Sequence, residues 1–401
     1  MNNNQRNLVS LILVTLFSTG LTMVSSFLLA RLLAVEDRGL FQLFVTSVSY
    51  AAAIGSGGVG FAFALSMRNQ QYQGWRYYFL GFLAFACLVA AIALSFFEVT
   101  QFSYLFILNV VLTAILTITL EKSKIDANLK IYRVISLQQP ILAVILYAAC
   151  YFIGGEQPIA IALYLLTALT VVQALFCLFY LTRIERQFIR EHEVKKMDWR
   201  FFAKNWIKQN LLQTFGATTV NLDKFLIVSL MGNYTLGLYT VCIAFDALLT
   251  KFINMLTDYY YSGLLNRMNR IKSVLLLIGL MAISAVIIVP FLAKPVVVFF
   301  FSEKYAEVAP ILVWFIVNSI IAGLSWVLSQ NMLILGKQIL LFTRQLISIA
   351  VLVVLFYCFS EQGLYGVAYA LIGASLTRLL ISIVYYYKFP MSELNISAQQ
   401  H

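Results

Sequence analysis

Long apolar runs recur along this chain, each bounded by a short polar or charged gap. A helix needs about 20 mostly apolar residues to cross a bilayer, at a rise of about 1.5 Å per residue. Twelve runs reach that length, approximately 8–33, 39–66, 76–97, 102–120, 134–153, 158–181, 209–231, 234–261, 273–293, 308–331, 338–359 and 363–387. A membrane β-barrel would show short alternating segments instead. The pattern therefore predicts an all-α polytopic membrane protein with about twelve transmembrane helices. The first run is too long for the core of a cleavable signal peptide and is expected to stay attached.

Composition agrees with this reading. Hydrophobic residues make up 61% of the 401 positions and charged residues 11%, and the mean hydropathy is +0.87. Lipid can solvate that much apolar surface, whereas a soluble domain cannot hide it.

The positive charges set an orientation. Of the 28 Lys and Arg residues, 21 fall at the N-terminus or in alternate gaps, from Arg6 through Arg68, Lys122 and the 183–208 segment to Arg344 and Lys388. The opposite gaps hold only Arg31, Arg38, Lys294 and Lys304. Lys and Arg favour cytoplasmic loops. Both termini of a multi-pass protein are thus expected in the cytoplasm. The net charge of +11 is explained by this bias and by attraction to anionic membrane lipids. Nucleic acid is not an expected partner.

The gaps also limit the chemistry. The outer ones are tiny, such as 98–101, 154–157, 232–233 and 360–362, too small for a catalytic domain. No G-x-x-x-x-G-K-[ST] phosphate loop occurs. Cys87, Cys150, Cys177, Cys242 and Cys358 lie in apolar runs without C-x-x-C spacing and read as small core residues. His192 and His401 are isolated, so no metal or cofactor is expected.

Six runs precede the basic 183–208 segment and six follow it. This predicts an N-terminal six-helix bundle at 1–182, a basic cytoplasmic linker at 183–208 and a C-terminal six-helix bundle at 209–401. Residues 33–41 (LAVEDRGLF) and 231–239 (MGNYTLGLY) both join the first and second runs of their half and share a Gly-Leu-aromatic ending. The likeness points to a parallel repeat, although any helical hairpin can carry glycine at its turn.

The stretch Phe27–Phe41, FLLARLLAVEDRGLF, resembles the first hairpin of polysaccharide-repeat-unit flippases. These are the Wzx-type members of the multidrug/oligosaccharidyl-lipid/polysaccharide exporter superfamily. Residues 221–227 (NLDKFLI) and 237–239 (GLY) resemble the corresponding place in the seventh and eighth helices. Arg38 stands where that family usually has an aromatic. The resemblance implies two six-helix bundles around a central cavity that opens alternately to each face. It implies an oligosaccharide on a polyprenyl pyrophosphate as cargo, and polysaccharide polymerase machinery as a neighbour.

Ionisable residues deep in a membrane usually face a bundle interior or cavity. Asp223, Lys224, Asp246, Lys251 and Arg378 are the deepest here. Lys224, Lys251 and Arg378 are candidates for attracting the diphosphate, with Arg31 near the outer mouth. Structural ion pairing, including Lys224 with Asp246, and snorkelling to the interface are the competing readings. Asp223 and Asp246 are candidates for ion coupling, or for simple neutralisation by the lysines.

The seventh run is unusually polar. Asn210, Gln213 and Asn221 roughly share one helical face, suited to sugar hydroxyls or to interhelical hydrogen bonds. Gln138, Gln139, Asn318, Gln330 and Asn331 are similar candidates. Gly55, Gly57, Gly58 and Gly60 allow close packing or bending in the second run.

The leading expectation is flipping of a lipid-linked oligosaccharide from the cytoplasmic to the outer leaflet, coupled to an ion gradient. A cation-coupled drug or metabolite antiporter is the second expectation, and a polysaccharide polymerase or ligase the third.

Overall fold

The computed structural model describes residues 3–95, 102–124, 130–154, 156–266 and 268–389, and for residues 3–13 the helix only. Among the features read above, the 98–101 gap, position 155 of the 154–157 gap, His401 and the Arg6 side chain lie outside the described residues. The chain is helical almost throughout. In order come α1 (Asn3–Leu32), α2 (Val35–Ser56), α3 (Val59–Arg68), α4 (Trp75–Ala93), α5 (Ser103–Ser123), α6 (Lys130–Gly154) and α7 (Ile159–Glu191). Then follow α8 (Trp199–Leu265), α9 (Ile271–Phe301), α10 (Ala309–Leu328), α11 (Gln330–Ile334), α12 (Gln338–Phe359) and α13 (Leu364–Lys388).

Eleven stretches among the described residues are long and apolar enough to cross a membrane. The longest, α8, has non-helical backbone at Gly232 (φ 85°, ψ 174°). It is therefore two helices, 199–231 and 233–265, and the eleven stretches become twelve. The positive φ needs glycine, and the break falls in the 232–233 gap. The protein is an all-α, multi-pass membrane protein, as the hydrophobic pattern predicts.

By contacts the chain forms two compact units, Met1–Phe225 and Leu226–His401. In the N-terminal unit α1 packs on α6, α2 on α4 and α5, and α7 on α5 and α6. One core cluster gathers Leu32, Phe41, Phe44, Phe106, Ala114 and Leu163. A second is aromatic. Phe63 of α3 lies edge-on to Trp75 (5.9 Å between centroids), and Phe202 packs against Phe63 at 5.1 Å.

The 183–208 segment is ordered. Its first part completes α7 and its last part begins α8. Between them β2 (Lys195–Lys196) pairs in parallel with β1 (Gln71–Gln73). Phe202 and Trp206 draw it in, since both pack against Phe82, at 5.7 and 4.8 Å. Arg76 ties the start of α4 to α7 by donating from Nε (2.9 Å) and Nη2 (2.6 Å) to Glu185.

In the C-terminal unit α13 packs on α10 and α12, and α9 on α10. Tyr260 donates to Asn331 Oδ1 at 2.9 Å, and Ser375 to Asn318 Oδ1 at 2.7 Å. These asparagines, read as candidate cavity residues, are thus bonded to neighbouring helices. Gln330 bonds within its own turn, to the Trp326 carbonyl.

Some sequence expectations need correction. Cys177 and Cys242 are buried, but Cys87 and Cys358 are exposed, because both lie on outward faces of their helices. Arg38, counted in an outer gap, is buried and donates to Ser26 Oγ at 2.8 Å. Lys122 and Arg344, counted with the cytoplasmic residues, are buried in α5 and α12.

Close packing makes a specific test. A Cβ on Gly366 would collide with the backbone carbonyl of Phe359, whereas one on Gly279 meets nothing within 4 Å. Gly366→Ala is expected to destabilise the protein by about 1–3 kcal/mol. Gly279→Ala is expected to be neutral or to stabilise by up to ~1 kcal/mol. Thermal unfolding of the purified variants in detergent checks the contrast.

Candidate functional site

The second hydrophobic run is not one helix. It breaks between α2 and α3, where Gly57 has φ −57° and ψ 135° and Gly58 has φ +80°. A break exposes the last carbonyls of one helix and the first N–H groups of the next. Inside a membrane such groups need protein partners.

Both ends of this break are capped. Asn210 of α8 donates from Nδ2 to the carbonyls of Ala53 (3.2 Å), Ile54 (3.0 Å) and Gly57 (2.9 Å). Glu121 of α5 receives the N–H of Gly58 on Oε1 (2.9 Å) and that of Gly60 on Oε2 (3.0 Å). The Phe61 N–H and the Gln213 side chain bond the same carboxylate. The glycines permit this approach. A Cβ on Gly57 would lie 2.9 Å from Gln213 Oε1, and one on Gly58 2.9 Å from the Asn210 nitrogen. Both readings of the glycines therefore hold, close packing and bending.

Other polar residues of α8 also bond within the N-terminal unit. Asn210 and Gln213 serve the break, Thr218 shares a hydrogen bond with Tyr50 (3.1 Å), and Asn221 donates to Ala217 O one turn back (2.9 Å). Glu121 escaped the sequence reading, because it sits beside Lys122 and Lys124 at the end of its span and resembles part of a solvated loop.

Lys224 is buried and donates from Nζ to Val220 O (2.7 Å) and to Asp223 (3.3 Å). The two side chains are 11% and 14% exposed, so this pair is well shielded. Asp246, in the C-terminal unit, accepts a hydrogen bond from Ser319 Oγ. Its carboxylate is also within electrostatic reach of Arg378. Lys251 is exposed on α8, and Arg31 is half-buried at the end of α1.

The C-terminal unit holds a cavity of about 270 Å³ lined by α8, α10, α12 and α13. Two arginines enter it, Arg344 and Arg378. Arg344 is 5% exposed. Its Nη1 donates to Ser382 Oγ (2.7 Å) and to the carbonyl and hydroxyl of Ser325 (both 3.2 Å). Arg378 Nη2 donates to Ser375 Oγ (2.9 Å). The Nε atoms of both are buried without a hydrogen-bond partner among the described residues. Serine hydroxyls orient these guanidiniums but do not neutralise them. The sequence did carry a signal for Arg344, which lies six residues inside its apolar run.

A second cavity, about 380 Å³, lies inside the N-terminal unit among α2, α5, α6 and α7. Its polar lining is neutral: Ser49, Asn109, Thr113, Thr117, Ser136, Gln139, Thr170 and Gln173. Gln173 is 1% exposed, and its Oε1 has no partner among the described residues. Gln139, singled out from the sequence, is part of this lining. No group of three or more His, Cys, Asp or Glu is placed to hold a metal among the described residues.

No family model matches the chain, and no curated protein matches it significantly. The fold is similar to solved structures. One is an inward-facing conformation of a multidrug resistance MATE family transporter of the MOP superfamily. It shares 14% identity over 96% of this chain and 95% of that chain, with a TM-score of 0.63. Another is an outward-facing conformation of a transporter described in the same words, with 13% identity, 95% and 96% coverage and a TM-score of 0.51. The chain thus has the fold of these MOP-superfamily transporters.

The Asn210 cap generates a prediction. Asn210→Leu removes a donor from three carbonyls, of which that of Ala53 keeps the Gly57 N–H, and an unmet buried partner costs about 1–3 kcal/mol. Asn221→Ala loses one bond within its own helix and is expected to change stability by less than about 1 kcal/mol. Comparing the two thermal unfolding midpoints tests the assignment.

Proposed function

We propose that this chain carries a polyprenyl-pyrophosphate-linked oligosaccharide from the cytoplasmic to the outer leaflet of the bacterial cytoplasmic membrane, by alternating access. One observation carries this reading. Neither interior cavity has a carboxylate in its lining; one offers neutral hydroxyls and amides, the other two arginines.

The chemistry follows from solvation. Each unpaired hydroxyl costs several kcal/mol in an apolar medium, and a diphosphate costs far more. A cavity of Thr, Ser, Asn and Gln offers hydrogen bonds to sugar hydroxyls in place of water. Guanidiniums suit phosphate oxygens, which they can engage through two parallel donors. In this reading Arg378, Arg344 and Lys224 attract the diphosphate, Lys251 and Arg31 lie peripherally, and Asp246 balances Arg378. Asp223 and Asp246, candidates for ion coupling or for neutralisation in the sequence, each stand by a cation, which favours neutralisation.

The multidrug description of the similar structures favours a second reading, cation-coupled export of drugs or metabolites. The charge in the C-terminal cavity opposes it. A monocation 5 Å from one arginine is repelled by about 3 kcal/mol at an effective dielectric of about 20.

Deleting the gene is expected to make lipid-linked repeat units accumulate on the cytoplasmic face, with wild-type restoring the outer-leaflet pool. Arg344→Gln, Arg378→Gln and Asp246→Asn, expressed at normal levels, are expected to lower that restoration at least about tenfold, the effect of ~1.4 kcal/mol. An unchanged leaflet distribution on deletion, together with lost efflux of a cationic dye, would establish the antiporter reading instead.

A further inference from the structure

We propose that Glu121 is a proton-binding site whose protonation releases the latch across the α2–α3 break, making that break the moving joint of the N-terminal unit.

Glu121 differs from the other shielded carboxylates in what faces it. Glu185 bonds Arg76, Asp223 bonds Lys224, and Asp246 has Arg378 in reach. Glu121 is 8% exposed, and its partners are the N–H groups of Gly58, Gly60 and Phe61 and the amide of Gln213. None of these is a cation.

The ionisable groups on its own helix and on the elements packed around it are directed elsewhere or do not reach it. Lys122 Nζ stands over the Tyr180 ring of α7 at 5.5 Å, and Lys124 Nζ over Tyr132 of α6 at 5.8 Å. Arg76 of α4 is held by Glu185 of α7. Arg68 of α3, Lys130 and Arg133 of α6, Arg183, Arg186 and Arg190 of α7, and Lys204 and Lys208 of α8 are not among its partners. A carboxylate fixed by a cation stays charged while the pair holds. One fixed only by amide dipoles can exchange its charge for a proton without abandoning a buried counter-ion.

The mechanical consequence follows from the hydrogen bonds. The ionised carboxylate is acceptor-only, with about four lone-pair sites on its two oxygens, and it caps the positive end of α3. A proton taken from water adds to one oxygen and makes it a hydroxyl, a donor that accepts only weakly. The N–H···O bond to that oxygen, from Gly58 or Gly60, is then weakened, and the attraction between charge and helix end is lost. Asn210 still holds the α2 side. Gly57 and Gly58 lie between the two caps, and Gly58 already has positive φ. The joint therefore has one end that responds to protons and one that does not.

Only the use of this joint for coupling rests on the transport reading; the joint itself does not depend on the cargo. The test uses the full chain in lipid nanodiscs, with the five native cysteines replaced. Spin labels go at Ser49 on α2 and Met67 on α3, and distances are measured at about pH 4 and about pH 8, below and above the ordinary Glu value of about 4.3. In wild-type the distance distribution is expected to shift between the two pH values. In Glu121→Gln, which keeps the shape but cannot titrate, one distribution is expected at both. Glu121→Asp is expected to keep a pH-dependent shift. Identical wild-type distributions at the two pH values would overturn the proposal, whether or not the variants fold. So would a shift of wild-type size in Glu121→Gln. Glycolipid transfer scored separately on unlabelled wild-type protein decides the cargo reading without affecting this result.

Discussion

Hydrocarbon offers no hydrogen bonds, so every polar backbone group and every charge placed within it must find a partner in the protein. The structure of this chain is organised around that constraint. Where helices run unbroken their own ladders satisfy it. Where the second hydrophobic run breaks, Asn210 supplies donors to the carbonyls of α2 and Glu121 supplies acceptors to the N–H groups of α3. The close glycine backbone makes both approaches possible, so glycine placement, break and caps form one device. Cutting any part leaves polar groups that lipid cannot satisfy.

The same constraint gives meaning to the interior charges. Lys224 is held beside Asp223, and Asp246 by Ser319 with Arg378 in reach. Arg344 is set among serine oxygens that orient it without cancelling its charge. Two guanidiniums share one small cavity with one carboxylate, Asp246, in reach of Arg378, so that region keeps an excess positive charge, whereas the cavity of the N-terminal unit is neutral and rich in hydroxyl and amide groups. In the proposed function these linings are the reason for expecting an uncharged, hydroxyl-rich cargo with an anionic attachment.

The helices were legible in the sequence because spanning length and apolar composition are local properties. The break at Gly232 and the glycine cluster of the second run were legible for the same reason, as gaps or small residues in an apolar background. The partners of interior polar groups were not, because they depend on which helices meet. Asn210 and Gln213 were visible as polar positions of the seventh run, but their engagement with α2 and Glu121 is a tertiary fact. Glu121 and Arg344 were hidden by charge counting, which places residues near span ends in water. Both turn inward, where a carboxylate caps a helix and a guanidinium meets serines.

The central claim, that this membrane interior lets an anionic glycolipid head pass, is tested most directly by reconstitution. Purified protein in liposomes would be given a polyprenyl-diphosphate oligosaccharide whose sugars, when outside, are oxidised by a membrane-impermeant enzyme. The pool initially protected in the inner leaflet is expected to become accessible with wild-type protein. It is expected to stay protected in protein-free vesicles and with the double variant Arg344→Gln, Arg378→Gln. A protected pool that wild-type protein leaves untouched, or equal transfer by the double variant, would contradict the claim.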